Sequence, residues 1–508
     1  MASRGLRAAD ASSGSARHVV LIVWDGMRPD FVDDRYAPTL DKLAHDGVRF
    51  QNHHSVYLSA TDVNGVAIAT GVYPNHSGLF ANSEFRPSIN PHQAIDTSEP
   101  ATIAAGDRAT NGGYLHAPTM AELLRRAGKS VAIAGSKSVV LLHDRQNEWT
   151  VATSVAKGLT VFAGAPIAPT LRDDLTKRIG AFPTGPGASG AERSAYATRA
   201  LTDVFWRDGI PDFSLLWLVE PDLAEHNNAP GSPPALGAIK SADENLARML
   251  AALDAKHARD ATDILLFSDH GFSTIRRSFD VAALLKDSGF RAAKEISESP
   301  RAGDILVVGN GGTVLFYVHE HDRAVCERLV TWLQHQDFTG TIFTRDKIEG
   351  AFPLSAVRID TPDAADVVMS FRWTSEKNEF GVPGLIDADW NRKPGEGTHA
   401  TLSPSDLHNT FIAAGPDFRH TFDDTLPTGN IDIAPTVLHL LGIKDLPHFD
   451  GRVLREALRD FTGELPVAHS GTLSVRAGGE EAWEQSLRIS GVEATTYFDA
   501  ARGGISRK

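Results

Sequence analysis

Four short apolar runs, 19–24, 131–135, 213–219 and 264–267, each stop abruptly at charged or polar positions. The first runs into Asp25, the second into Lys137, the third into Glu220 and Asp222, and the fourth into Asp269 and His270. Runs this short, apolar without alternation, suit strands covered on both faces, as in a parallel sheet. Between them, PTLDKLAHDG, PTMAELLRRAG and SADENLARMLAALDAK carry the three- and four-residue spacing of amphipathic helices. The expected fold is α/β with a doubly wound, mostly parallel sheet. In such sheets ligands bind outside the carboxyl ends of the strands, so the residues that end these runs should converge on one crevice.

A different rhythm holds from about 277 to 395, where GGTVLFYV, the helical AVCERLVTWLQHQ and GTIFTR suggest a small β-α-β insertion capping the crevice. After it, DLHNTFIAAG resumes the core and NIDIAPTVLHLLG forms a late amphipathic helix. The expected division is a core over 18–276, a cap-like insertion over 277–395, the core again over 396–462, and a C-terminal tail over 463–508 with no readable motif.

Length and composition narrow the chemistry. At 508 residues the chain exceeds the size at which single cores stop growing, so one large domain with a substantial insertion, or two domains, is expected. Its net charge is −14 and no run of Lys or Arg gives the footprint of a nucleic-acid or anionic-membrane binder. An anionic substrate must therefore meet metal ions or isolated cations. Cys326 is the sole cysteine, which excludes an internal disulfide and a thiolate cluster and leaves His and carboxylates as metal ligands. The first 17 residues lack an apolar signal core, and HVVLIVW is too short to span a membrane. The expectation is a cytoplasmic chain without a membrane segment, unless a leader has been removed.

The candidate ligands are Asp25, Asp222, His226, Asp269, His270 and His399. Any one alone is explained by capping or a salt bridge. Asp41 and His45 share the Asp-x3-His spacing of Asp222 and His226, but they lie one turn apart on what should be the polar face of a surface helix. Asp222 and His226 instead follow a buried strand.

Taken in order, LIVWDGMRPD, SATDVNGVAIATGVYPNHSG, VEPDLAEH, FSDHGF and GEGTHATLSPSDLHNTFIAAGPDF resemble the alkaline phosphatase superfamily. The closest branch is the nucleotide pyrophosphatase/phosphodiesterase family, over about 18–275 and 395–455. This resemblance implies two zinc ions per chain, one held by Asp222, His226 and His399, the other by Asp25, Asp269, His270 and the nucleophile Thr61. It also implies two in-line displacements between ions roughly 4 Å apart, in which Thr61 attacks phosphorus and water then cleaves a phosphothreonine intermediate. Thr61 precedes VAIATG and should open a helix, where backbone amides and the dipole favour an anion. The resemblance further implies that Asn64 donates to a phosphoryl oxygen, an uncharged donor suited to a diester. Lys137 falls where phosphonoacetate hydrolases carry a substrate-binding lysine, making it a possible substrate contact or else a surface lysine.

Two departures stand out. Nucleotide-cleaving members place an aromatic residue directly after the nucleophile, whereas this chain has Asp62. Glu225 replaces the glycine of Pro-Asp-x2-Gly-His, either to hold a His or to stand in solvent. A sulfatase is set aside because no Cys or Ser begins an x-Pro-x-Arg motif, and Thr61 speaks against the serine-dependent phosphatases and mutases. The expected activity is a two-zinc phosphodiesterase or nucleotide pyrophosphatase acting on a small-molecule phosphate ester. The alternatives are a phosphomonoesterase or phosphonate hydrolase of the same superfamily and, more remotely, a non-catalytic metal-binding relative.

Overall fold

The computed structural model describes residues 15–145, 159–162, 169–184, 187–478 and 481–507. The first apolar run becomes the strand His18–Trp24, paired in parallel with Phe213–Leu218 on one side and Thr262–Phe267 on the other. Val131–Gly135 and then Leu159–Phe162 extend the sheet in the same direction. On the far side Phe411–Ala414 runs antiparallel to Thr262–Phe267, followed by Val48–Phe50 and Phe422–Asp424. Of these eight strands only Phe411–Ala414 opposes the rest, so the sheet is mostly parallel, as expected.

The missing alternation has a direct cause. Val19, Leu21 and Val23 enter one core with the helix Thr61–Thr70, while Val20, Ile22 and Trp24 enter another with the helices Pro38–Asp46 and Pro233–Ala255. Both faces are therefore covered, which makes the sheet doubly wound. Each fully buried Val, Leu or Ile contributes about 1.5–3 kcal/mol relative to an exposed one.

Six strands within 277–395 form a second sheet around Thr313–Val318, Val367–Phe371 and Thr339–Thr344, with the helix Arg323–Gln334 packed on it. The β-α-β stretch read from sequence supplies two of these strands and the helix. Val367–Phe371 is inserted between the two strands, antiparallel to both. Two strands at the edges of the insertion matter for the site. Ser273–Ser278 follows His270 and Gly397–Thr398 precedes His399, and they pair antiparallel, with Ser273 opposite Thr398.

The segment expected as a tail is instead a packed sheet. Ala468–Ala477, Glu481–Val492 and Thr495–Arg507 form three antiparallel strands. Gln485 anchors them to the insertion, since its side-chain amide bonds both the N–H and the carbonyl of Ile342 at 2.8 Å. Tyr497 anchors them to the core by donating to Asp432 at 2.8 Å. Among the described residues no helix is long and apolar enough to cross a membrane.

Candidate metal centre and nucleophile

Strand ends deliver the site. Asp25 follows His18–Trp24 and is fully buried; its Oδ2 accepts from Trp217 Nε1 at 2.8 Å, and its main-chain carbonyl accepts from the Asp222 N–H at 3.0 Å. Asp222 opens the short helix Asp222–Asn228, so His226 falls one turn on, with Nε2 3.3 Å from Asp222 Oδ1. Asp269 and His270 follow Thr262–Phe267, and both are fully buried. Gly26 makes this convergence possible: its φ of 73° is a turn conformation that costs glycine nothing, and its N–H donates to Asp269 Oδ1 at 3.1 Å.

The three histidines share one orientation. His226 Nδ1 donates to the Gly397 carbonyl, His270 Nδ1 to the Gly271 carbonyl and His399 Nδ1 to the Ser59 carbonyl, each at 2.9 Å. A ring whose Nδ1 carries the hydrogen presents an Nε2 lone pair, and holding a ligand histidine by a carbonyl is how metal sites fix the tautomer. These lone pairs face carboxylate oxygens. His270 Nε2 lies 3.3 Å from Asp269 Oδ2 and 3.6 Å from Asp25 Oδ1, and His399 Nε2 lies 3.7 Å from Asp222 Oδ1.

Among the described residues Asp25 Oδ1, Asp222 Oδ1 and Asp269 Oδ2 are buried without a hydrogen-bond partner. Buried acceptors facing acceptors are unfavourable unless a cation lies between them. The arrangement therefore fits divalent metal, and its nitrogen and oxygen donors suit zinc. Asp25, Asp269 and His270 form one convergent group, and Asp222, His270 and His399 form another, so His270 lies within reach of both. His226 joins the second group through Asp222.

Thr61 is the first residue of its helix, as expected, and its Oγ1 lies 3.2 Å from His270 Nε2. Lys137 completes the cluster. Its Nζ sits 3.0 Å from each of Thr61 Oγ1, Asp25 Oδ2 and Asp222 Oδ2, so it is inside the site and is not a surface residue. The charges respond to this packing. Burial, reinforced by Asp269, pushes the Asp25 carboxyl well above the usual carboxylate range. Burial acts the same way on Asp222, but Lys137, His226 and His399 outweigh it and hold that carboxyl well below the range. Burial also pushes the His399 imidazole well down, with His270 and His226 adding to it, which favours the neutral form that binds metal.

Asn64 does not fill the role expected of it. It is fully buried in the helix Thr61–Thr70, and its Nδ2 is spent on the carbonyls of Val56, Leu58 and Ala60 at 3.3, 3.1 and 3.0 Å. Its Oδ1 accepts from Val56 N–H at 2.7 Å and from Asn430 Nδ2 at 2.9 Å. No N–H remains for a phosphoryl oxygen. Asn64 instead shapes the chain that leads into Thr61.

Asn82 is a candidate residue beside Thr61 that the sequence reading did not single out. Its Oδ1 accepts from the Asp62 N–H at 2.8 Å, so its amide lies beside the residue that follows Thr61. Its Nδ2 has no partner among the described residues and its side chain is half-buried. Asn82 also occupies one of the helix-opening amides that were expected to face an anion. It lies 21 positions beyond Thr61 in a loop, where no helical or strand spacing signals it.

Asp62 is buried, its Oδ2 accepts from Thr97 Oγ1 at 2.9 Å, and burial with Asp96 pushes its carboxyl up to about 7. Glu225 is neither solvated nor bonded to a histidine. It is fully buried, both side-chain oxygens lack a partner among the described residues, and burial drives its carboxyl well up against the pull of Arg28. Asp41 and His45 sit on the helix Pro38–Asp46, and the His45 side chain is 68% exposed, so this pair is the surface feature it was expected to be.

Comparison with known proteins gives the family. Residues 19–376 match the family described as type I phosphodiesterase / nucleotide pyrophosphatase. A venom phosphodiesterase of Macrovipera lebetinus is 22% identical over 439 residues, covering 85% of this chain and 44% of that protein. Human ectonucleotide pyrophosphatase/phosphodiesterase family member 7 is 21% identical over 447 residues, covering 85% of this chain and 81% of that protein. Among solved structures, inactive murine ectonucleotide pyrophosphatase / phosphodiesterase 5 in complex with AMP superposes with a TM-score of 0.60 at 16% identity, over 87% of this chain and all of that one. The chain spans less than half the length of the venom enzymes it matches. With a match over more than half its length and the α/β fold of these neighbours, the chain belongs to the type I phosphodiesterase / nucleotide pyrophosphatase family.

Proposed function

We propose that this chain is a two-zinc phosphodiesterase that cleaves small phosphate diesters through a phosphothreonine on Thr61. The observation that carries the reading is the convergence of three Nε2 lone pairs and three unpartnered carboxylate oxygens around Thr61 Oγ1. In this reading Asp222, His226 and His399 hold one ion, and Asp25, Asp269, His270 and Thr61 hold the other. When bound, the ions supply Lewis acidity, lowering the pKa of hydroxyl and water and offsetting charge on the phosphoryl group.

The chain's own groups do the rest. Thr61 Oγ1, held at the start of a buried helix, attacks phosphorus, and the P–O bond to the leaving alcohol breaks as the phosphothreonine ester forms. Water then cleaves that ester and restores the hydroxyl. Asn82 Nδ2 donates to a non-bridging phosphoryl oxygen, the role first read for Asn64. Lys137 Nζ, one hydrogen bond from Thr61 Oγ1, favours the ionised hydroxyl. Exhaustive chelation should abolish diester hydrolysis and Zn²⁺ should restore it, while Thr61→Ala should remain inactive with zinc bound. A fully active metal-free protein would refute the proposal.

The same lysine favours a second reading, hydrolysis of phosphomonoesters or phosphonates. A cation beside the nucleophile gains more from a dianion than from a singly charged diester. A panel of diesters, monoesters and phosphonates, run on wild type and Lys137→Met, separates the two. Loss confined to dianionic substrates would favour the second.

A further inference from the structure

A second group of imidazoles and a carboxylate meets where the C-terminal sheet crosses the core. His54 ends the strand His53–His54 and lies opposite His408 in an isolated antiparallel bridge. Its Nδ1 donates to the Thr428 carbonyl at 2.9 Å, so its Nε2 faces Asp499 Oδ1 at 3.1 Å from the strand Thr495–Arg507. Two acceptors at that distance need positive charge between them, either a proton or a metal ion.

His408 distinguishes the two. Its ring centroid lies 4.4 Å from that of His54, and among the described residues neither of its ring nitrogens has a hydrogen-bond partner. Burial pushes its imidazole down to about 3, so the ring is neutral and keeps a lone pair at neutral pH. A protonated His54 paired with Asp499 would leave this ring outside the pair, whereas a cation would engage all three groups. One ligand atom from each of His54, His408 and Asp499 lies within 4.8 Å of the other two. The 3.1 Å between His54 and Asp499 compares with 3.3–3.7 Å across the ligands of the main centre. Neighbouring ligands of a tetrahedral zinc with bonds of about 2.1 Å stand roughly 3.4 Å apart.

We propose that His54, His408 and Asp499 form a third divalent-cation site, suited to zinc, that fastens the C-terminal sheet to the core. His408 and Asp499 are half-buried, which leaves a coordination position for water. The loop that carries His408 also braces the main centre from behind. The Asp406 carbonyl accepts from Gly271 N–H at 2.8 Å, Ser405 from Phe272 at 2.7 Å, and Thr410 from Ser268 at 2.9 Å. A metal on His408 would thus tether the backbone on either side of Asp269 and His270. The cluster of His76, His448 and Asp450 makes no such case: both rings are exposed and each already contacts Asp450, at 2.7 and 3.3 Å, as surface ion pairs do.

The test is zinc per chain by elemental mass spectrometry, after zinc loading and desalting of the full-length protein. Wild type, His408→Gln, Asp499→Asn and His399→Ala are compared, together with thermal midpoints with and without zinc. His408→Gln leaves the His54–Asp499 contact intact, so a simple ion pair predicts no change in zinc content. The third site predicts one fewer zinc ion per chain in His408→Gln and in Asp499→Asn, with a smaller zinc-induced rise in midpoint. Equal zinc content in wild type and both of these variants would overturn it. The reading of the main centre is judged separately, by whether His399→Ala loses zinc. Matching midpoints for wild type and His408→Gln in chelator establish that the variant folds, and Asp499→Asn repeats the test at the other end of the site.

Discussion

Replacing Asn64 and Asn82 in turn separates a residue that builds the site from one that acts in it. Asn64→Ala removes five hydrogen bonds from a fully buried side chain and leaves Val56 N–H and Asn430 Nδ2 without their acceptor. Each net hydrogen bond is worth about 0.5–1.5 kcal/mol, and each stranded buried group costs about 1–3 kcal/mol. Since the Val56, Leu58 and Ala60 carbonyls share one NH₂, the effects are not additive, and a loss of about 3–5 kcal/mol in folding stability is expected. Asn82→Ala removes one half-buried amide whose Nδ2 has no partner, so its stability cost should be about 1 kcal/mol or less. Its catalytic cost should be that of losing one oxyanion donor, about 2–4 kcal/mol. At about 1.4 kcal/mol per tenfold, that lowers kcat/KM on a diester by roughly 30- to 1,000-fold. The assay pairs urea denaturation with kcat/KM on bis-(p-nitrophenyl) phosphate at measured zinc content. An Asn64→Ala enzyme of unchanged stability but hundredfold lower rate, beside a fully active Asn82→Ala, would reverse the assignment.

Three further outcomes follow from the structure. Asp41→Ala and His45→Ala should leave turnover unchanged and alter stability by less than about 0.5 kcal/mol, whereas His226→Ala should lower turnover by orders of magnitude; equal losses would show that the wrong Asp-x3-His pair was chosen. Gln485→Ala should cost about 2–4 kcal/mol, read as a fall in thermal midpoint, because it leaves both polar groups of Ile342 without their side-chain partner; an unchanged midpoint would show that the C-terminal sheet adds little. His143 is buried with Nε2 unpartnered, and burial holds its imidazole down to about 3. The unfolded chain therefore takes up a proton on this group between about 6.5 and 3 that the folded chain refuses, so stability falls as pH falls through that window. His143→Leu should remove up to about 1.4 kcal/mol per pH unit of that slope in urea titrations at pH 5 and 6.5, and an unaltered slope would refute it.

Much of the core was legible because burial on both faces writes itself into sequence as unbroken apolar runs, and the ends of those runs are where the candidate ligands lie. Asp25, Asp222, Asp269 and His270 were found this way, with no need to know which strands are neighbours. The C-terminal sheet was illegible for the opposite reason. The strand Ala468–Ala477 is mostly exposed, and the next strand places polar Gln485 between Trp483 and Leu487 on its buried face. A buried glutamine that replaces a ladder partner for Ile342 looks, in sequence, like a break in the pattern.

The orientation of Asn64 has a geometric origin. A residue three positions after Thr61 lies one turn along the same helix face, which suggests that the two side chains point to one place. But helical side chains lean toward the N-terminus, and this helix is buried on every side. An amide leaning that way from Asn64 meets the chain arriving at the helix, where the carbonyls of Val56, Leu58 and Ala60 take its hydrogens. A group that reaches outward to a phosphoryl oxygen would have to come from a segment facing the helix mouth, and the loop carrying Asn82 lies there, with Asn82 Oδ1 accepting from the Asp62 N–H. Candidate metal ligands at strand ends are thus set by the sheet and can be read locally. The position of the proposed donor, Asn82, depends on how a distant loop folds back, and spacing along the chain carries no record of that.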